Sequence, residues 1–158
     1  MKTLLYASLA LLAAMPVHAA STEWTVGEGG RIRLVAAEAP DAGGFLDAVI
    51  DIDLDDGWKT YWLDPGDSGI PPILTRLPGE EPLALQAPAP ERHTALDQTY
   101  AGYHGKVRLL TRLPADTMET DLFIGVCKDI CVPFSARFAT PAPNGSAEDA
   151  GVLAEARA

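Results

Sequence analysis

Within residues 49–55, apolar and acidic side chains alternate strictly from Ile50 to Asp55, and this alternation constrains the fold more than any other feature of the chain. An extended strand places successive side chains on opposite faces. The pattern therefore predicts a half-buried strand with one face against a core and one face in water. The apolar face would carry Ile50, Ile52 and Leu54, and the acidic face Asp51, Asp53 and Asp55.

Turns rich in Pro and Gly separate further short segments that favour strands. No segment before residue 145 has the periodicity of a convincing helix. Many short strands at this spacing are typical of a sandwich of two sheets, so we predict an all-β fold, an antiparallel β-sandwich. The other predicted strands are 31–35, 59–63, 73–76, 83–86, 106–113, 122–126 and 135–140.

The first residues predict an export signal. Lys2 precedes an apolar run that ends near Met15, and Val17 and Ala19 stand at the two positions that a signal peptidase reads. No later stretch approaches the roughly 18 apolar residues of a spanning helix, so we expect no stable membrane insertion. Since exported proteins can form disulfides, we expect a periplasmic protein.

The remaining chain divides into one domain and a tail. We predict a signal peptide at residues 1–19, a β-sandwich domain at 20–143 and a flexible C-terminal tail at 144–158. Ser146 and Asp149 have the spacing of a helix capping pair. A helix this short is marginal in isolation, which is why we expect the tail to be mobile.

The charge of the chain excludes one class of partner. The formal net charge is −10 at pH 7, and such an acidic domain is a poor ligand for nucleic acid or anionic lipid. We therefore expect proteins or small molecules as partners and no nucleic acid.

Cys127 and Cys131 are the two cysteines of the chain, and they lie in GVCKDICVPF, residues 125–134. Loop entropy contributes about 2 kcal/mol for a ring of roughly five residues, against about 4.7 kcal/mol for a ring of about a hundred. A domain of this size also has a core large enough to fold without cross-links. The spacing therefore favours a redox-active pair, while a structural disulfide stays open as an alternative.

A metal site is a third interpretation of the cysteines. Zinc sites usually combine closely spaced thiols with closely spaced imidazoles, and ten residues separate His93 from His104. We therefore assign no metal ligand. A Cu(I) ion held by the two thiolates stays open because Cu(I) favours soft ligands, and the chain would then be a non-catalytic binding module in copper tolerance.

Two aromatic segments stand out beside the cysteines. Trp58, Tyr61 and Trp62 crowd residues 56–72, and by parity the two tryptophans share a face opposite Tyr61. At least one tryptophan is expected in the core. Residues 100–106, with two tyrosines and two glycines, are predicted to form a surface loop, or a mobile flap that carries an aromatic ring.

Together these segments resemble the N-terminal periplasmic domain of the thiol:disulfide interchange protein DsbD, in the branch that includes the copper-tolerance protein ScsB. The resemblance covers about residues 28–143. It implies an immunoglobulin-like β-sandwich. The segments that carry it are GWKTYWLDPGDSGIPP at 57–72, YAGYHGKVRLL at 100–110 and LFIGVCKDICVPF at 122–134.

The resemblance also implies roles for individual residues. Cys127 and Cys131 match the family's catalytic pair, and Cys131 would form the mixed disulfide with partners. Tyr103 matches the aromatic of a cap loop that shields the pair. Tyr61 matches an aromatic beside the cysteines. Trp58 and Trp62, on the same short segment, are predicted as supporting residues of the site.

The implied partners are thioredoxin-like domains or a DsbD-type membrane electron donor, together with oxidised periplasmic proteins. No cofactor is implied beyond the redox-active disulfide. The family's multidomain members continue into membrane helices, whereas this chain ends at Ala158, so we expect a free-standing component of a protein-disulfide reductase. Ala101 and Gly102 stand where the best-known members carry acidic residues, and those members have a wider cysteine spacing.

Overall fold

The alternating segments form strands in the computed structural model, which describes residues 18–66, 69–95 and 98–158. Residues 1–17, most of the predicted signal, lie outside the described residues. The predicted cleavage point after Ala19 falls within the first strand. The elements are β1 (Ala19–Ser21), β2 (Thr25–Gly27), β3 (Gly30–Ala37), β4 (Phe45–Leu54), β5 (Lys59–Tyr61), β6 (Ile73–Leu77), β7 (Glu81–Leu83), β8 (Leu85–Gln86), β9 (Glu91–Ala95), β10 (Gln98–His104), β11 (Lys106–Pro114), β12 (Glu119–Cys127), β13 (Cys131–Ala139) and α1 (Ala147–Ala156).

The strands pair in antiparallel fashion and form two sheets. The first sheet has the order β1-β3-β4-β11-β8, with β2 also paired to β3. The second has the order β7-β6-β12-β5-β10-β9, with β13 also paired to β12. The predicted fold class, an all-β immunoglobulin-like antiparallel β-sandwich, is confirmed.

The core lies between the two sheets. Ile50 and Leu109 of the first sheet and Leu122 and Ile124 of the second belong to one cluster, and each is at most 2% exposed. Ile50, Ile52 and Leu54 of β4 face this core, as their alternation predicts. The predicted strand at 83–86 is divided between the two sheets, since β7 pairs with β6 and β8 pairs with β11.

The acidic side of β4 is covered by other side chains at Asp51, while Asp53 stays partly exposed. Asp51 is only 4% exposed, and its carboxylate accepts hydrogen bonds from Arg33 Nε at 3.0 Å and from Arg108 Nε at 3.2 Å. Arg33 also reaches Asp149 of α1, at 3.5 Å. Alternation alone does not reveal this cover, because the covering element comes about a hundred residues later in the chain.

That covering element is the predicted flexible tail, and the structure corrects the prediction. The Asp149 amide donates to Ser146 Oγ at 3.1 Å and the Ser146 amide donates to Asp149 Oδ2 at 3.2 Å, which completes the predicted capping pair. Val152 and Leu153 are buried against Val35 and Val49 of the first sheet. Tertiary packing of an apolar stripe thus stabilises a helix that is marginal alone.

Residues 100–106 are not a surface loop, which is a second correction. Residues 100–104 belong to β10, which pairs with β9 on one side and with β5 on the other. A Cβ atom on Gly102 would lie 2.3 Å from the Thr60 carbonyl oxygen. The glycine that suggested a loop therefore allows close pairing of two strands.

In the described ranges 18–66, 69–95 and 98–158, no helix is long and apolar enough to cross a membrane.

Candidate functional site

The two cysteines face each other at the end of a β-hairpin. Cys127 ends β12, Cys131 begins β13, and the register pairs them directly, with a Cα–Cα distance of 4.0 Å. They form a disulfide. The Lys128 amide donates to the Ile130 carbonyl at 3.1 Å and closes the turn between them. The disulfide therefore links two strands whose backbones already pair at nine positions.

The two cysteine residues differ in their exposure to solvent. Cys127 is 1% exposed, whereas Cys131 is an exposed residue. The neighbouring Ile130 is 69% exposed and adds an apolar surface beside Cys131. Because thiol–disulfide exchange requires access to the attacked sulfur, only Cys131 is open to a partner in this conformation.

Tyr61 contacts both sulfurs. Its hydroxyl oxygen lies 3.4 Å from Sγ of Cys131 and 3.4 Å from Sγ of Cys127. Disulfide sulfurs carry no proton, so the hydroxyl is the donor. Tyr61 is 5% exposed, and its ring meets the edge of Tyr100 with ring centroids 5.9 Å apart. The hydroxyl is therefore held in place before any sulfur becomes charged.

The segment after β5 folds back over this face of the sheet. A Cβ atom on Gly69 would lie 2.8 Å from the Tyr61 ring, and a Cβ atom on Gly125 would lie 2.8 Å from Cβ of Ile70. Gly125 shares a face with Cys127, two residues later on β12. Residues 69 and 70 thus cover the Tyr61 ring and the face of β12 at Gly125, next to the cysteine pair.

Lys59 brings a positive charge to the same face. It is paired with Cys127 on one side and with His104 on the other, and paired residues in an antiparallel sheet project to the same face. Its Nζ lies 3.7 Å from the centroid of the Tyr100 ring. Lys128, in the turn itself, reaches away from the sulfurs and donates to the Asp56 carbonyl at 3.4 Å.

Tyr103 does not cap the disulfide, and the structure corrects that expectation. It is paired with Thr60, and Thr60 with Val126, so it projects to the core face rather than the face of Cys127. Tyr103 is 7% exposed and its hydroxyl donates to the Pro88 carbonyl at 2.7 Å. Burial raises the pKa of Tyr103 to about 12. The residue is a neutral core tyrosine.

The two tryptophans pack where parity predicts. Trp58 and Trp62 are partly buried against the main core cluster, whereas Tyr61 between them faces the sulfurs. The Trp58 ring also fills the space beside Gly29, where a Cβ atom would lie 2.4 Å from it. These tryptophans therefore support β5 from the core side.

Sequence reasoning missed Lys59, Tyr100 and Ile70 as members of the site. A signal for Lys59 was present in the sequence: Lys59 and Tyr61 are two positions apart on one strand, and side chains at that spacing project to the same face. Tyr100 and Ile70 gave no such signal, because their positions depend on the register of β10 and on the path of a loop.

A comparison with protein-family models identifies one family. The model described as "Thiol:disulfide interchange protein DsbD, N-terminal" matches residues 33–143. The N-terminal periplasmic domain of ScsB from Proteus mirabilis is similar in structure, with a TM-score of 0.68, 22% identity, and coverage of 87% of this chain. This chain covers 57% of that ScsB chain.

A second solved structure, the reduced N-terminal domain of DsbD from Neisseria meningitidis, has a TM-score of 0.46 and 15% identity over 72% of this chain and 86% of that one. No curated protein sequence matches this chain. The likeness to the ScsB domain shows the fold, and the family match covers most of the described residues.

Proposed function

The chain belongs to the family of the N-terminal domain of the thiol:disulfide interchange protein DsbD, and from this membership we propose that it is a periplasmic thiol–disulfide exchange module. It passes reducing equivalents through Cys127 and Cys131 to or from partner proteins. The observation that carries the proposal is the asymmetry of the pair: Cys131 is exposed, and Cys127 is buried against a tyrosine hydroxyl.

Reduction of the module begins at the exposed sulfur. A thiolate of a reduced partner attacks Sγ of Cys131, and a mixed disulfide forms between the partner and Cys131. The Cys127–Cys131 bond breaks and its electron pair leaves with Sγ of Cys127. The Tyr61 hydroxyl, 3.4 Å from that sulfur, donates a hydrogen bond to the thiolate that develops there.

The second step releases the partner. A second thiolate of the partner attacks the partner's own sulfur in the mixed disulfide, and Cys131 leaves as a thiolate. Two electrons have then passed to the module, and protonation of the two sulfurs balances the charge. The reverse sequence, with Cys131 attacking a partner's disulfide and Cys127 resolving the mixed bond, passes the electrons onward.

Geometry supports Cys127 as the resolving group. The direct register of the two cysteines holds Cys127 beside Cys131 while Cys131 is bonded to a partner. A nucleophile that is held in place reacts as if at a very high local concentration. The buried position of Cys127 also keeps its thiolate away from unrelated oxidants.

The partners that fit this scheme are thioredoxin-like domains or a DsbD-type membrane donor, and oxidised periplasmic proteins as acceptors. The exposed side chain of Ile130 gives a partner an apolar contact next to Cys131. The scheme uses no cofactor.

The proposal is tested by trapping the mixed disulfide. The trap is a thioredoxin-like domain that keeps only its nucleophilic cysteine, activated as a mixed disulfide with thionitrobenzoate. Reduced Cys127→Ala is expected to displace thionitrobenzoate and accumulate a covalent adduct through Cys131, while the wild type releases the domain again. The matched variant Cys131→Ala is expected to react far more slowly, because Cys127 is buried.

Equal rates for the two variants, or faster reaction of Cys131→Ala, would contradict the assignment of roles. Stoichiometric binding of Cu(I) by the reduced wild type, with no adduct from Cys127→Ala, would favour the alternative of a Cu(I)-binding module.

A further inference from the structure

Three potential metal ligands meet on the exposed edge of the second sheet. Glu91 and His93 lie on β9, and His104 ends β10. One ligand atom from each side chain lies within 4.8 Å of the other two. The ten residues between the histidines argued against a shared site in the sequence, but the β9–β10 hairpin brings the two rings to a centroid distance of 5.0 Å.

His104 makes the hydrogen bond that commonly accompanies a metal-binding histidine. Its Nδ1 lies 3.1 Å from the Trp58 carbonyl oxygen, and a carbonyl oxygen only accepts, so Nδ1 carries the proton and donates. Nε2 then keeps its lone pair for a ligand. A backbone carbonyl on the other ring nitrogen is the usual partner of a metal-binding histidine, because it fixes both tautomer and ring orientation.

His93 is held beside its carboxylate. Its ring stacks on Tyr100 with centroids 5.1 Å apart and planes inclined by 21°. Its Nε2 lies 3.1 Å from Oε2 of Glu91. Two ligands on one tetrahedral Zn²⁺, each bonded at about 2.0–2.1 Å, are about 3.3–3.4 Å apart. A carboxylate oxygen only accepts, so Nε2 of His93 carries the proton in the metal-free protein, and a bound ion would displace that proton to Nδ1 or to solvent. With that proton gone, small side-chain rotations bring these two atoms onto one ion.

We propose that Glu91, His93 and His104 bind a divalent late first-row transition-metal ion, for which Zn²⁺ and Cu²⁺ are the test ions. Two imidazoles and one carboxylate form a donor set that such ions accept. Glu91 and His104 are exposed, so a fourth coordination position opens to solvent and would hold water or a group from a partner. The net charge of −10 favours the approach of a cation.

The site is separate from the cysteines. Cys127, Lys59 and His104 lie in one row across three neighbouring strands, so His104 is two strand spacings, about 10 Å, from Cys127. The ion would bind on the same face as the disulfide and without any thiolate. The proposal therefore does not rest on the proposed exchange function.

The test is a calorimetric titration of the oxidised protein with Zn²⁺. Oxidised wild type and the Cys127→Ser/Cys131→Ser double variant are both expected to bind one ion per chain. His93→Gln and His104→Gln are each expected to weaken binding by about tenfold or more, since even loss of a residue behind a ligand costs 10- to 100-fold. Glu119→Gln, which removes an exposed carboxylate from a strand outside the cluster, is the matched control and should bind as the wild type does.

Cu²⁺ gives an independent signature. Cu²⁺ is expected to bind more tightly than Zn²⁺, and its electron paramagnetic resonance spectrum should show coupling to imidazole nitrogen that is lost in both histidine variants. Circular dichroism of the variants should match the wild type. Absence of binding by the oxidised wild type, unchanged binding in both histidine variants, or loss of binding in the double-serine variant would each overturn the proposal.

Discussion

Tyr61 is the side chain that joins the two sulfurs to the rest of the sheet. Its hydroxyl is equidistant from both, at 3.4 Å, so it can donate to whichever sulfur carries the charge. A hydrogen bond to a charged group contributes about 1.5–3 kcal/mol, and the charge on sulfur appears only when the disulfide breaks. The interaction therefore stabilises the charged sulfur formed in the exchange step more than it stabilises the resting disulfide.

Tyr61→Phe is expected to slow reduction of the disulfide by dithiothreitol by about tenfold or more, because the leaving thiolate of Cys127 loses its donor. Stopped-flow measurement of the reaction under pseudo-first-order conditions gives the rate. Tyr100→Phe is the control, since it keeps the ring against Tyr61. If Tyr61→Phe reacts as fast as this control, the hydroxyl has no part in the exchange.

Tyr103 contributes to the stability of the fold and not to thiol–disulfide exchange. Burial raises its pKa from 10.0 to about 12, so above pH 10 the unfolded chain loses the phenolic proton first. The free energy of unfolding therefore falls as the pH rises from 10.0 towards the folded value.

Tyr103→Phe is expected to lack this part of the alkaline decline and to be less stable at neutral pH by about 1 kcal/mol, through the lost hydrogen bond to Pro88. Urea unfolding between neutral and alkaline pH measures both effects. Its rate of reduction by dithiothreitol should equal that of the wild type. An identical alkaline decline in variant and wild type, or a faster reduction of the variant, would contradict this placement.

The contrast between Tyr61 and Tyr103 shows what residue-level reasoning can reach. Parity within β5 correctly separated Tyr61 from its neighbouring tryptophans. The same rule failed for Tyr103, because its segment was predicted to be a loop and parity has no meaning there. The pairing of Tyr103 with Thr60 determines the face to which the Tyr103 side chain projects. That pairing depends on the register of β10 against β5, which is set by contacts between residues distant in sequence.

Among the elements, α1 shows the largest difference between the prediction from sequence and the structure. The capping pair of Ser146 and Asp149 was predicted from spacing, and both hydrogen bonds are present. The packing was not predicted, because the apolar residues Val152 and Leu153 gain stability only from a sheet face far away in the chain. The buried Arg33, which joins Asp51 to Asp149, ties that face to the helix.

Leu153→Ala is expected to lower the free energy of unfolding by about 2–5 kcal/mol, because Leu153 is fully buried against the first sheet. Ala154→Ser, at the next and exposed position of α1, should cost about 0.5 kcal/mol or less. Chemical denaturation of both variants provides the comparison. Equal stabilities would mean that α1 does not pack on the sheet.

The β9–β10 hairpin was missed for a related reason. The sequences ERHTA and QTYAGYH lack the apolar alternation that revealed β4, since this hairpin lies at the edge of its sheet. Unless this hairpin is predicted, His93 and His104 are known only to be eleven positions apart in the sequence. Neither their proximity nor the position of Tyr100 can then be inferred.

At the scale of the whole molecule, the sandwich can be predicted from the sequence. Along most of the chain, the alternating segments and the turns between them both indicate short antiparallel strands. The main core cluster joins both sheets through fully buried residues such as Ile50 and Ile124, and neither cysteine belongs to that cluster. The disulfide joins strands that are already paired at nine positions. Opening it should therefore leave the sandwich intact.

Reduction is accordingly expected to lower the free energy of unfolding by about 2 kcal/mol or less. Urea unfolding of the oxidised and reduced protein, with the double-serine variant as a reference for the open pair, measures the difference. A loss of most of the stability on reduction would instead indicate a structural disulfide.

The most direct test is the reduction potential of the Cys127–Cys131 pair, measured by equilibration in thiol–disulfide buffers followed by alkylation of the free thiols. We predict a value above about −300 mV, within reach of thioredoxin-like donors at about −270 mV. A value well below −300 mV would mark an inert cross-link and would contradict the proposal that this pair opens and closes.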